Sequence, residues 1–308
     1  MTRYNIPVRF AKERNPLDPE WLDDRDALFR QLCLPSIEQQ TDQDFTWMVF
    51  FHPETPLRYY EDLRERYTVL FAHSPQDMLA TVRGRVTQCR GPVVTTRFDN
   101  DDCLSKRFVS TTKGLARIIV EQADLFSLPH VIRYAWGLYR DASTGAVREK
   151  RDTGGPFVSL VEHAESGCLL QTAFAKMHDK MNGSFNSTVI ENKVPMWLIN
   201  IHGGNAGNRF PRRGMTVSDE DIRRELLCEF PDLPIMERRI RDHHEASRDS
   251  KPGNKATSAP DRREFDVNAY WLKRGKSYID EKRLVSTPYL LQEQFIIDVL
   301  RSRDVPMR

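Results

Sequence analysis

The chain has 308 residues, of which 39% are hydrophobic and 29% are charged, and its formal net charge is +2. These values describe an ordinary globular protein with one full core, and the near-neutral charge argues against a general nucleic-acid binder. The sequence contains no run of eighteen apolar residues, so it predicts no membrane span. Thr2, Arg3 and Asn5 interrupt the apolar run that a signal peptide would need at the start.

The five cysteines are scattered through the chain without a Cys-x-x-Cys pair. This spacing argues against a zinc site and against a disulfide framework. Reduced thiols are typical of a cytoplasmic protein, which is the location we expect. Peripheral contact with a membrane surface stays open.

In the first hundred residues, predicted strands and helices alternate. Strands are predicted at residues 4–10, 45–51, 68–71 and 91–98, and helices from residue 19, at 56–67 and at 75–89. Asp18 is the expected N-cap of the first helix, with Pro19 at its first position. The alternation predicts an α/β fold with a mostly parallel sheet flanked by helices.

The second half of the chain is richer in predicted strands and less regular. A helix is predicted at 106–122, strands at 130–139 and 147–150 around a hairpin turn at 141–145, and further strands at 157–162 and 196–202. Residues 1–242 therefore form one predicted domain with a nucleotide half and an acceptor half. Residues 243–264 are a predicted flexible linker, because 247–260 contain no large apolar residue, and 265–308 form a helical tail.

Residues 99–102, Asp99-Asn100-Asp101-Asp102, form an acidic tip directly after the predicted strand 91–98. In an open α/β sheet, ligands bind beyond the carboxyl ends of the strands. Carboxylates this close repel one another unless a cation lies between them, and their oxygens suit Mg²⁺, Mn²⁺ or Ca²⁺. The Asp-x-Asp spacing of Asp99 and Asp101 is the signature of metal-dependent nucleotide-sugar transferases.

Three motifs together carry a family resemblance. They are Leu34-Pro35-Ser36-Ile37-x-x-Gln40 followed by Phe45-x-Trp47-x-Val49, then Thr96-Arg97-Phe98 with the acidic tip, and finally Met196-Trp197-Leu198-Ile199-Asn200-Ile201-His202-Gly203-Gly204-Asn205. In this order they resemble the rhamnosyltransferases of the glycosyltransferase family 2 superfamily, over roughly residues 1–240. The resemblance implies a GT-A fold, a nucleotide-sugar donor, a glycan or glycolipid hydroxyl acceptor and an inverting transfer.

The resemblance also implies a role for particular residues. Asp99, Asp101 and the late His202 would hold Mn²⁺ or Mg²⁺, although a lone histidine is also a common core residue. The expected donor-binding residues are Arg9, Arg83, Arg97, Asp99 and Asn100, with a solvated helix face as the alternative for Arg83.

The catalytic base is expected between the acidic tip and His202. Relatives carry a Glu-Asp pattern in this interval, and it is absent here. His178, Asp179 and Glu162 are the candidates, and the assignment among them stays open.

The tail and the acidic tip each leave alternatives. Tyr270-Trp271-x-x-Arg274-Gly275-x-x-Tyr278 weakly resembles the entry to a class I methyltransferase domain, which would make the chain part of a bifunctional protein. A terminal helix that packs back on the transferase is the other interpretation. The acidic tip alone is also consistent with a metal-dependent phosphodiesterase or nuclease, or with a non-enzymatic Ca²⁺-dependent carbohydrate-binding module.

Overall fold

The structure is a computed structural model that describes residues 1–7, 15–122, 128–165, 169–176, 180–181, 184–191, 194–205, 208–211, 215–218 and 220–233. Arg9, His178 and Asp179 lie outside the described residues, as does everything beyond residue 233. The predicted linker and tail, with the methyltransferase resemblance, therefore stay predictions. No helix in the described part of the chain is long and apolar enough to cross a membrane.

The described residues form helices and short strands in alternation. The helices are α1 (Pro19–Leu28), α2 (Leu34–Glu38), α3 (Pro75–Val86), α4 (Phe108–Glu121) and α5 (Glu220–Leu227), with a π-helical turn at Phe29–Cys33 and 3₁₀ turns at Leu57–Tyr59 and Asp62–Glu65. The strands are β1 (Thr2–Arg3), β2 (Met48–Phe51), β3 (Thr68–Phe71), β4 (Gly91–Thr96), β5 (Phe98–Asp99), β6 (Cys103–Leu104), β7 (His130–Tyr134), β8 (Trp136–Asp141), β9 (Val147–Arg151), β10 (Ser159–Ala164), β11 (Asn186–Ile190), β12 (Trp197–Ile201) and β13 (Met215–Thr216).

The strands pair in three sheets. The first sheet, in the order β3-β2-β1-β5, is entirely parallel. The second sheet (β11-β7-β10-β4) and the third (β13-β9-β8-β12-β6) mix parallel and antiparallel pairs. This mixed α/β architecture, with parallel strands and flanking helices, confirms the fold class expected from the sequence.

The acidic tip lies where the three sheets meet. β4 belongs to the second sheet, β5 to the first and β6 to the third, so one stretch of chain passes through all of them. β4 and β5 are separated at Arg97, and the acidic tip leads from β5 to β6. β12, which is followed by His202, pairs with β6 through Leu198 and Cys103. The topology therefore brings the late histidine to the tip.

The core beneath this junction is aromatic and closely packed. The ring of Tyr4 lies 4.4 Å from that of Phe51, and Phe29 stacks on Trp47 at 5.6 Å. Gly137 lets β8 approach β12 closely, because a Cβ at that position would lie 2.0 Å from the Trp197 ring. The strand that leads to His202 is thus fixed from both sides.

Two predicted elements were wrong in place or type. The first strand is Thr2–Arg3 and does not include residues 4–7, because the Asn5 side chain bonds to Pro16 O and Thr55 Oγ1, away from the strand ladder. Residues 8–10 of the predicted strand lie outside the described residues. The predicted helix 56–67 is instead two 3₁₀ turns, with an i→i+3 bond from Tyr60 N to Leu57 O. The adjacent Tyr59 and Tyr60 both bury their rings, which a regular α-helix on a sheet does not favour.

Other predictions of the first half agree with the structure, although the strand predicted at 91–98 is divided at Arg97 into β4 and β5, and the helix predicted at 75–89 ends at Val86. Asp18 caps α1 by accepting a hydrogen bond from Trp21 N, with Pro19 at the first helical position. The strand at Thr68–Phe71 has the predicted bounds. In the second half, β8 and β9 form the predicted antiparallel hairpin, whereas β11 has no counterpart among the predicted strands.

Candidate active site

The backbone of the acidic tip is held by two of its own side chains. Asn100 Nδ2 donates to Tyr4 O at 2.7 Å, and Asp102 Oδ1 accepts from Asn200 N at 2.8 Å. Burial, followed by the negative charges of Asp101 and Asp99, raises the pKa of the Asp102 carboxyl well above its usual range. Asn100 and Asp102 are therefore buried supports, and Asp99 and Asp101 are the carboxylates left for chemistry.

Asp101 is the electrostatic centre of the site. Its Oδ2 atom lies 2.6 Å from Arg25 Nη1 and 3.0 Å from His202 Nε2. Burial alone would raise the pKa of the Asp101 carboxyl, but Arg25 and His202 hold that pKa well below its usual range. The sequence predicted that Asp101 and His202 would lie together, and the structure brings them together. It did not identify Arg25.

The orientation of His202 is set by the motif that follows it. His202 N donates to Asn205 Oδ1 at 2.9 Å, and Asn205 Nδ2 donates to Asn200 O at 2.8 Å. Gly203 has a φ of 88°, which glycine adopts without strain. Gly204 N donates to His202 Nδ1 at 3.3 Å, so in the neutral ring the proton lies on Nε2 and faces Asp101. The motif is thus a turn that aims one imidazole nitrogen at the tip.

Arg25 reaches Asp101 from the buried face of α1. The buried positions of this helix are Leu22, Arg25 and Leu28, so a charged residue occupies an apolar stripe. Its guanidinium lies 5.1 Å from the centre of the Trp21 ring. A charged residue at a core position of a well-capped helix is the sequence signal that could have identified Arg25.

Two further arginines flank Asp99. Arg3 aligns with Asp99 in the parallel pairing of β1 and β5, and burial lowers the pKa of its guanidinium while Asp99 opposes the shift. Arg97 is only 7% exposed and lies 5.8 Å over the Phe174 ring. Neither guanidinium, nor the Asp99 carboxylate, forms a hydrogen bond or ion pair with another of the described residues. The sequence analysis named Arg97 as a candidate donor-binding residue. It missed Arg3, because it placed the first strand at residues 4–10 and not at Thr2–Arg3.

The glutamine of the first motif supports the far side of the tip. Gln40 Nε2 donates to Ser36 O and Ser105 O, both at 2.8 Å, and its Oε1 accepts from Val109 N at 3.0 Å. One buried side chain therefore ties α2 to the end of β6 and to the start of α4. The motif shapes the site without contributing a reactive group.

Glu162 and Arg83 both contact residues 169–176, here called the anchored segment. Both carboxylate oxygens of Glu162 accept backbone N–H groups, from Gln171 at 2.6 Å and Thr172 at 2.9 Å. Arg83 donates from Nε to Leu170 O at 3.0 Å and from Nη2 to Gln171 Oε1 at 3.2 Å. Thr172 has a φ of 65°, a strained value for this residue that the surrounding bonds maintain.

The described residues do not form a complete metal site. They contain no group of three His, Cys, Asp or Glu side chains placed to hold an ion. Asp101 Oδ2 and His202 Nε2 are 3.0 Å apart, which matches two neighbouring ligands on an octahedral ion with bonds of about 2.1 Å. Mg²⁺ is often held by one or two carboxylates together with substrate phosphates. The pair therefore fits a divalent cation if the His202 proton moves to Nδ1 and the long Gly204 contact opens.

The comparisons with known proteins identify the family of the chain. The family model described as "Putative rhamnosyl transferase" matches residues 9–214. The chain belongs to this rhamnosyl transferase family. Membership confirms the family predicted from the motifs and makes the protein a glycosyltransferase. A search of curated proteins gave no match. The match covers Arg25, the acidic tip and His202, and it begins after Arg3.

Proposed function

We propose that this member of the rhamnosyl transferase family moves a sugar from a nucleoside-diphosphate donor to a hydroxyl group of a glycan or glycolipid. The observation that carries the proposal is the mixed charge at the junction of the sheets. Asp99 and Asp101 lie beside Arg3 and Arg97, whose guanidinium groups have no carboxylate partner in the described part of the chain. A diphosphate needs donors of this kind, because the planar guanidinium matches its oxygens.

The proposal includes a dependence on Mn²⁺ or Mg²⁺. Asp101 and His202 would hold the cation, with Asp99 beside them, and Asn100 would keep the tip in shape. When bound, the cation neutralises charge on the leaving nucleoside diphosphate. Arg3 and Arg97 would bind the same phosphate groups and orient the donor so that its anomeric carbon faces the acceptor. Arg9 stays a further candidate from the sequence.

The proton of the acceptor hydroxyl must go to a base, and we place that base at His178 or Asp179. These residues follow the anchored segment directly in the sequence. Glu162 is the weaker candidate, since both of its oxygens already accept backbone N–H groups. Displacement of the diphosphate by the acceptor oxygen would invert the anomeric configuration.

The proposed location is the cytoplasm. Cys33, Cys89, Cys103 and Cys228 are free thiols, which is typical of a reducing compartment. A nucleotide-sugar donor and a glycan or glycolipid acceptor are the proposed partners.

A thermal-shift panel tests the donor class. UDP, GDP and TDP are each added with Mn²⁺ or with EDTA, and we expect one of them to raise the melting temperature only with Mn²⁺. His202→Ala should lose most of this shift. Release of the nucleoside diphosphate from the matching nucleotide sugar, in the presence of an acceptor, then tests transfer. Cleavage of phosphodiesters without any nucleotide shift would favour the nuclease interpretation, and Ca²⁺-dependent glycan binding alone would favour the carbohydrate-binding module.

A further inference from the structure

The Arg25 guanidinium contacts the same oxygen that a cation would need. Arg25 Nη1 lies 2.6 Å from Asp101 Oδ2, and the two side chains are only 10% and 13% exposed. The same nitrogen is 3.3 Å from Asn100 Oδ1. A divalent cation bound to Asp101 Oδ2 would be repelled by a positive group this close, so the two cannot both remain on that oxygen.

The contact between Arg25 and Asp101 joins one guanidinium nitrogen to one carboxylate oxygen and is not bidentate. Arg30, in the π-helical turn that follows α1, offers a direct contrast, because its Nη1 and Nη2 bind both oxygens of Asp62, at 2.7 and 3.0 Å. Arg25 uses one nitrogen on one oxygen of Asp101. Its Nε and Nη2 have no hydrogen-bond partner among the described residues, so they can still bind an anion.

We propose that Arg25 is a donor-phosphate-binding residue that stays on Asp101 until a divalent cation takes its place. The inference rests on the proposed function, and it assigns a role that the metal site alone does not imply. The cation replaces the guanidinium at Asp101 Oδ2, and the displaced guanidinium binds the diphosphate of the donor.

The physical reason for coupling the two steps is the cost of an unpaired buried charge. Arg25 is 8% exposed, and removal of its carboxylate partner leaves only the long Asn100 contact and the face of Trp21. The diphosphate restores a partner for the guanidinium, in a geometry that arginine matches well.

The coupling predicts effects of opposite sign when Arg25 is removed. Arg25→Gln should tighten the binding of Mn²⁺ alone by at least roughly tenfold, because the competitor of the cation is gone. The same variant should weaken the binding of UDP, GDP or TDP in saturating Mn²⁺ by a similar factor, because one phosphate ligand is lost. Isothermal titration calorimetry measures both affinities without any requirement for turnover.

Arg25→Lys and Arg58→Gln are the comparison variants. Lysine keeps the charge that competes with Mn²⁺ but lacks the guanidinium fork, so Mn²⁺ affinity should stay near the wild-type value while nucleotide affinity falls. If Arg25→Gln does not fold, the contrast between the Mn²⁺ affinity and the nucleotide affinity of Arg25→Lys tests the proposal. Arg58 forms a surface ion pair with Asp23, which lies in α1 as Arg25 does, and both side chains of this pair are 63% exposed. Replacement of Arg58 should change neither the Mn²⁺ affinity nor the nucleotide affinity.

Each outcome counts for or against the proposal. Mn²⁺ binding that is unchanged or weaker in a folded Arg25→Gln variant overturns the exchange. Nucleotide affinity equal to that of the wild type overturns the phosphate role while leaving the proposed function intact. A wild-type protein that binds none of the three nucleotides with Mn²⁺ overturns both this inference and the proposed donor class.

Discussion

The acidic tip and the anchored segment both contain a buried carboxylate, but they satisfy it in different ways. Asp101 in the tip is held by two side chains, Arg25 and His202, through a single oxygen. Glu162 is held by two backbone N–H groups, from Gln171 and Thr172, through both oxygens. Side chains can rotate away from a carboxylate, whereas these backbone groups move only if the segment itself moves.

This difference separates a site from a support. We expect the side-chain partners of Asp101 to be exchangeable for a cation, provided that a bound diphosphate restores a partner for the buried Arg25 guanidinium. The partners of Glu162 cannot be exchanged in this way, because their loss would leave two buried donors unsatisfied. Burial of a charged group is thus poor evidence of function by itself, and the mobility of its partners is the better guide.

The largest expected effect comes from Asp101→Asn, which removes the exchangeable charge. Transfer should fall by about a hundredfold or more, because the leaving diphosphate loses its electrostatic support. The fold should persist, but Arg25 loses its buried carboxylate partner, so the free energy of unfolding should fall by about 3–5 kcal/mol and the melting temperature by roughly 6–20 °C. Asp23→Asn on the exposed part of α1 is the control and should keep full activity. Wild-type transfer by Asp101→Asn would contradict the role of the tip.

Glu162→Ala should have its main effect on stability. Two backbone donors lose their acceptors, at about 1–3 kcal/mol each, so the free energy of unfolding should fall by roughly 2–5 kcal/mol in urea titrations. Glu162→Gln keeps one acceptor oxygen and should cost less than half of that. Its turnover per folded molecule should match the wild type. A stable Glu162→Gln variant that has lost transfer would instead make Glu162 the catalytic base.

The pH dependence of stability should differ in sign between two neighbours in the tip. The lowered pKa of Asp101 contributes stability above its unfolded value of about 4, and this contribution is lost as the pH falls further. The raised pKa of Asp102 works in the opposite direction, because the carboxyl prefers its neutral form in the fold. Asp102→Asn should therefore stabilise the protein at pH 7, by on the order of 1 kcal/mol, and have little effect near pH 4. Urea titrations at both pH values in EDTA check this, and equal effects at pH 4 and 7 would contradict the assignment.

The smallest effect is expected from Arg83→Ala. Arg83 donates to Leu170 O and Gln171 Oε1 at the half-buried edge of the anchored segment, so its loss should cost about 1 kcal/mol of unfolding free energy. Binding of the donor nucleotide should be unchanged, as measured by the same calorimetric titration. Weaker nucleotide binding would return Arg83 to the donor site expected from the sequence.

The sequence predicted those parts of the site that depend on local order along the chain. The acidic tip follows a strand, and His202 follows another strand and precedes two glycines, so both could be placed at strand ends. The α/β alternation and the cap at Asp18 are equally local signals. The proximity of the acidic tip and His202 was expected from the family resemblance, and the pairing of β6 with β12 explains it physically.

The sequence could not predict the groups whose role depends on distant pairing. Arg25 meets Asp101 across 76 positions, which requires α1 to pack against the tip. Arg3 is a proposed donor-binding residue only because β1 begins at Thr2 and aligns Arg3 with Asp99. Glu162 was a candidate base from its place in the sequence, and its bonds to the N–H groups of Gln171 and Thr172 could not be predicted, because backbone hydrogen bonds leave no trace in residue identity.

The hydrogen bond from Asn200 N to Asp102 Oδ1 provides a way to watch the tip directly. This amide belongs to β12 but depends on a side chain of the acidic tip, and Asn200 is fully buried. Its hydrogen can exchange with solvent only when the tip lifts away from the strand. The rate of amide hydrogen exchange at Asn200 therefore reports how often the tip opens, and ligands that hold the tip in place should slow this exchange.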